Sequence, residues 1–182
     1  MQRGCRRQIR QRVEGHRSFK LSEQGTTKSR YLVLGVGNTL LSDDGAGVHV
    51  AKALESRTEL ASKIKIIDGG TLGLSLLPEV EDATGLIVID AAELGEPPGT
   101  IRIYENDAMD RHLSGKKTTV HEVAVADLLA AATLTGHAPH ERALIAIQPE
   151  SLDWGLELSA SVQPAIAGAA DAVASVIAGW SA

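Results

Sequence analysis

Apolar runs and two-faced segments alternate from residue 31 to the end of the chain. YLVLGVG (31–37) is apolar without a break, the pattern of a strand covered on both sides. A helix is expected over 44–57, with Asp43 placed as its N-cap. KIKIID (63–68) reads as a second strand ending in Asp68-Gly69-Gly70-Thr71. In LSLLPEVED (74–82), Leu74, Leu77 and Val80 fall on one face of a short helix or turn. GLIVIDA (85–91) is a third buried strand, apolar up to Asp90, and LGEPPGT (94–100) is rich in turn formers. TIRIYE (100–105) alternates and predicts a more exposed strand, and 106–119 shows no period. HEVAVADLLAAATL (121–134) predicts a helix, ALIAIQ (143–148) a buried strand, and 161–179 a terminal helix with Pro164 in its first turn.

Strands alternating with helices predict an α/β fold: a single three-layer domain over 31–182, with a mostly parallel twisted sheet of about five strands and helices on both faces. Composition agrees. Aromatic residues make up 3% of the chain, so Ala, Val, Leu and Ile must fill the core. The same scarcity leaves no platform for stacking bases. Charge is split. Residues 1–30 carry nine Lys/Arg against two Glu, a net +7, and the remainder carries nine against 21 Asp/Glu, a net −12. An acidic body does not suit nucleic-acid binding. The basic stretch lacks an apolar run and reads as a disordered extension or a start-site artefact. No segment has the roughly 20 apolar residues that span a bilayer. The one cysteine, Cys5, lies in the basic stretch, which leaves no intrachain disulfide, no Cys-based zinc site and no catalytic thiol in the body. A cytoplasmic protein without membrane contact is expected.

Ligands of such sheets bind beyond the C-terminal strand ends. There the sequence places Gly37, Asn38, Asp43 and Asp44 after the first strand, Asp68 after the second and Asp90 after the third. His121 opens a helix whose start could share that edge. A strand followed by Gly-Val-Gly often cradles phosphate, but the third glycine of the dinucleotide fingerprint is absent. Carboxylates without a nearby Lys or Arg repel anions. With one imidazole they suit a divalent cation that keeps open positions. Structural readings compete: Asp43 as a cap, Asp68 organising its Gly-Gly turn, His121 capping its helix. His49, His112, His137 and His140 read as surface or packing residues.

Four stretches, GVGNTLLSDDGAGVHVAKAL (35–54), DGGTLGLSLL (68–77), IVIDAAELGEPPGT (87–100) and VHEVAVADLLAAATLTG (120–136), occur in an order and spacing that resemble the hydrogenase maturation proteases. The resemblance covers residues 31–160. It implies an endopeptidase that trims the C-terminal extension from the large-subunit precursor of a [NiFe]-hydrogenase after nickel insertion. It implies a nickel-binding set on Asp44, Asp90 and His121, and a cleft lined by Asp68, Gly69, Gly70 and Thr71. Asp68 would serve in substrate binding or catalysis, and Asn38, Gly69, Gly70 and Thr71 in substrate binding. Some family members carry Glu where Asp44 stands. Members start just before the first strand, so residues 1–30 depart from the pattern.

The metal could polarise the scissile carbonyl, or it could be a mark carried by the substrate that the protease recognises. The resemblance favours recognition, with nickel supplied by the precursor and a monomeric protease in a transient complex. Covalent catalysis is disfavoured, since Ser42 has no evident base. Two rivals remain. A peptidyl-tRNA hydrolase-like enzyme shares the opening strand and Gly-x-Gly-Asn but needs a basic surface and an Arg-His-Asn stretch that is missing. A non-enzymatic nickel carrier or chaperone would use the same triad without cleavage.

Overall fold

The structure, a computed structural model, describes residues 31–70, 73–115 and 120–181. The basic stretch 1–30 and Thr71 lie outside the described residues. Five strands form one sheet: β1 (Tyr31–Val36), β2 (Ile64–Gly70), β3 (Gly85–Ala91), β4 (Ile101–Glu105) and β5 (Glu141–Ile147). Their order is β2-β1-β3-β5-β4, parallel except for β4, which pairs antiparallel with β5 at one edge. The central strands β1 and β3 are buried along their whole length, in keeping with sequences that are apolar but for Asp90 near the end of β3.

The helices are α1 (Ala46–Leu54), α2 (Leu77–Asp82), α3 (Asp107–Ser114), α4 (Val120–Leu134) and α5 (Ala165–Trp180). Side chains alternate across the pleat, and the two cores follow that period. Tyr31, Val33, Ile87 and Ile89 pack with Val50 and Leu54 of α1 and with Ile166, Val173 and Ile177 of α5. Leu32, Leu34, Leu86 and Val88 pack on the other face, with Val80 of α2, Met109 and Leu113 of α3, and Leu128 and Ala132 of α4. Each such aliphatic side chain stabilises the fold by roughly 1.5–3 kcal/mol when fully buried.

Two expectations change. Residues 107–114 are helical, although 106–119 showed no period. Only Met109 and Leu113, one turn apart, anchor this helix, so its sequence is too polar for the period to stand out. Asp43 does not cap α1. It lies within a 3-10 turn, Ser42–Gly45, and the residue preceding α1 is Gly45. The Asp43 carboxylate is committed elsewhere: it accepts N–H bonds from Glu150 (2.9 Å), Ser151 (3.1 Å) and Ser159 (2.7 Å). A carboxylate can accept several donors at once, and three from a distant loop outcompete one local cap.

Candidate active site

The site is built at the C-terminal edge of the sheet, where β1 turns into α1. Gly37 adopts φ +131°, and a Cβ there would overlap the Asp44 carbonyl oxygen. Only glycine lets the chain fold back so closely. Gly47 lets α1 sit against the strand ends, since a Cβ would overlap the carbonyl oxygens of Ile89 and Val36. The tight loop brings the N–H of Asn38 to Oδ2 of Asp44, at 2.9 Å. The Asn38 side chain closes its own turn by accepting from the Leu40 N–H at 3.0 Å.

Register explains what meets Asp44. On β3, Leu86 and Val88 face α4, so Asp90, two residues further, faces α4 as well. His121 lies in the first turn of that helix. Its Nε2 is 3.0 Å from Oδ2 of Asp44, so one carboxylate oxygen is held by both the imidazole and the Asn38 N–H. All three side chains are buried: Asp44 is 6% exposed, Asp90 2% and His121 5%. Oδ1 of Asp90 has no hydrogen-bond partner.

The electrostatics follow. Burial drives the Asp90 carboxyl up to about 7; the His121 charge opposes this, while Asp44 and Glu122 add to it. The His121 imidazole is held above its ordinary value, first by its hydrogen bond to Asp44, with the Asp90 charge assisting against desolvation. Glu122, next to His121 and itself buried, was not singled out from the sequence. It lies 3.6 Å from Nε2 of His112, whose ring stacks on Tyr104 with centroids 4.4 Å apart. His112 is thus a packing residue, as expected.

Asp68 does not join this group. On β2, Ile64 and Ile66 pack toward α1 and α5, so Asp68 carries the same parity and faces away from α4. It is exposed, accepts the Gly70 N–H at 3.1 Å, and lines a cleft with Gly37, Asn38, Leu40 and Val48. Gly70, at φ +43°, borders this cleft and also a small apolar cavity reaching His121. Gly69 is buried against Val36 at the β1–β2 bulge. Among the described residues no three His, Cys, Asp or Glu side chains are gathered closely enough to hold an ion unaided.

A family model described as HycI, hydrogenase maturation protease, matches residues 48–176. The chain belongs to the hydrogenase maturation protease family. Within it, the chain is 39% identical over 152 residues to the hydrogenase expression/formation protein HupD of Rhizobium leguminosarum bv. viciae, covering 83% of this chain and 75% of that protein. It is 38% identical over 138 residues to the hydrogenase 2 maturation protease of Escherichia coli, covering 75% and 84%. The solved hydrogenase maturating endopeptidase HybD from E. coli superposes with a TM-score of 0.73 at 33% identity, over 81% of this chain and 91% of that one. The chain is therefore a peptide-bond hydrolase on a HybD-like fold, and the carrier and peptidyl-tRNA hydrolase readings fall away. Among the described residues no helix is long and apolar enough to cross a membrane.

Proposed function

We propose that this endopeptidase removes the C-terminal extension of a [NiFe]-hydrogenase large-subunit precursor after nickel insertion, and that Asp44, Asp90 and His121 recognise the nickel as part of the substrate. The observation that carries this reading is Oδ1 of Asp90, a buried carboxylate oxygen without a partner. Burying an unpaired carboxylate is costly, and nearly all buried polar atoms in proteins are satisfied. An incoming cation supplies what the fold withholds. Two carboxylates and an imidazole are donors that suit a first-row divalent ion. The set is too small to enclose one, which fits an ion that arrives with ligands of its own.

In this reading the Asn38 N–H and His121 orient Asp44, and the Asp90 proton leaves when the metal-bearing substrate docks. Asp68, exposed in the neighbouring cleft, contacts the segment to be cut, beside Asn38, Gly69, Gly70 and Thr71. The protease acts in the cytoplasm as a monomer in a transient complex. The test is mass spectrometry of a large-subunit precursor, nickel-loaded and nickel-free, with the wild-type chain and with Asp90→Ala and His121→Ala. Loss of a C-terminal peptide from the loaded precursor alone, and with neither variant, is expected. Equal cleavage of both precursor forms by the wild type would overturn nickel recognition.

A further inference from the structure

The segment after β5 carries a set of large apolar side chains that the fold leaves in the open. Leu152 is 46% exposed, Trp154 82% and Leu156 70%. Single exposed apolar residues need no explanation; several close together, one of them Trp, do. These are not on a loose loop. The Asp43 carboxylate holds the N–H groups of Glu150, Ser151 and Ser159 at the two ends of the segment. Between them, the Ser42 N–H donates to the Gly155 carbonyl (2.9 Å) and the Gly155 N–H donates to the Leu40 carbonyl (3.0 Å). The Ser42 hydroxyl donates to the Asp153 carbonyl at 3.0 Å. Ser42 keeps a left-handed φ of +46° to make these bonds, a conformation that costs a non-glycine residue free energy.

Leu40, itself 48% exposed, is bonded to this segment and also lines the cleft that contains Asn38 and Asp68. The segment therefore adjoins the cleft through Leu40. Its charge is of one sign: Glu150, Asp153 and Glu157 lie among these residues, and 149–164 contain no Lys or Arg. We infer that Leu152, Trp154 and Leu156 form a rigid docking surface, outside the cleft, for the folded body of the processed precursor. The matching surface on that partner is an apolar groove rimmed by Lys or Arg. A substrate held only by its tail would need no such platform. Trp is among the residue types enriched at interface hot spots.

This inference rests on the proposed precursor substrate. The test uses the full chain and the large-subunit precursor, comparing wild type, Trp154→Ala and the Trp154→Ala/Leu156→Ser pair. Because both side chains are exposed, thermal unfolding of the variants should match wild type. The expected result is a KM for precursor processing raised on the order of thirtyfold by Trp154→Ala, a hot-spot loss, with kcat within a few-fold. Precursor binding to the immobilised chain should weaken in parallel. Wild-type cleavage with KM and binding unchanged in both variants overturns the docking surface and leaves the proposed function standing. A wild-type chain that neither binds nor cleaves the precursor overturns both. A wild-type dimer in sedimentation that Trp154→Ala converts to monomer assigns the patch to a second copy and also overturns the inference.

Discussion

Asp43 and Asp90 are both deeply buried, and neither is paired with Lys or Arg among the described residues. Asp43 sits where three backbone N–H groups converge from a loop more than 100 residues away. Burial alone would raise its carboxyl, but the bonds from Ser159, Glu150 and Ser151 outweigh burial and hold it below the ordinary carboxylate range. Asp90 has a partnerless oxygen and a carboxyl raised to about 7 by the same burial. One acid is satisfied and holds the molecule together. The other is left wanting, which stores free energy that a binding event can release. Burial by itself says little about role; what the buried oxygen touches says more.

The largest effect expected from breaking this contrast is on activity. Asp90→Ala or His121→Ala should lower precursor processing by more than the roughly 100-fold typical of losing an outer-sphere partner of a metal site. Single-turnover cleavage followed by mass spectrometry measures it; retention of a tenth of wild-type activity by both would exclude a shared recognition role. The next effect is on stability. Asp43→Ala strands three backbone donors and should cost roughly 3 kcal/mol or more, read from the urea midpoint. A loss below about 1 kcal/mol would mean that water replaces the carboxylate.

The two acids should also oppose each other in pH dependence. The folded-state value of Asp43 lies below its ordinary 3.8, so its contribution is present above about pH 4 and disappears as pH falls through the lower folded value. Asp90 runs the other way. Folded protein keeps a proton that unfolded chain releases, so stability falls between about pH 4 and pH 7 and stays reduced above. Asp90→Asn should therefore be more stable than wild type at pH 8, by on the order of a few kcal/mol, and should differ little at pH 4. Denaturation series at the two pH values decide it; an Asn variant less stable at pH 8 would show that the wild-type oxygen is satisfied in solution. The smallest effect is expected at Asp68. Being exposed, Asp68→Asn should change stability by less than about 0.5 kcal/mol. It should raise KM rather than lower kcat. A collapse of kcat by two or more decades would instead make Asp68 the general base.

Much of this could be read from the sequence, for identifiable reasons. β1, β3 and β5 declare themselves because each carries a continuous apolar run, LVLGV, LIVI and ALIAI, as strands buried on both faces do. Strand-end position points to Asp44 and Asp90 at one edge, whereas His121 joins them as a triad only through the family resemblance. What sequence could not supply was the face. Asp68 lies near the same edge as Asp90, level with Gly35 of β1 and two residues before its strand ends at Gly70, yet opposite parity sends it to another cleft. KIKIID has apolar residues on both faces, which hides that parity. Asp43 was misread because its donors are 107 to 116 residues distant, whereas a capping rule sees only the next turn. The α3 helix escaped because two anchors in eight residues are not a period.

At the other end of the sheet, Tyr31, the first residue of β1, is clasped by the end of α5. Its hydroxyl donates to the Trp180 carbonyl at 3.3 Å, the two rings lie 5.6 Å apart, and Gly85 leaves room beneath them. The first and last elements among the described residues thus meet at the N-terminal ends of the strands, roughly 20 Å from the edge where Asp44 and Asp90 sit. For protein engineering this is a free handle. A tag, a surface tether or a linker joining residues 31 and 181 into a circular permutant attaches on the side away from Asp44 and Asp90. The chain can be immobilised or re-threaded there with the edge that carries Asp44 and Asp90 left clear.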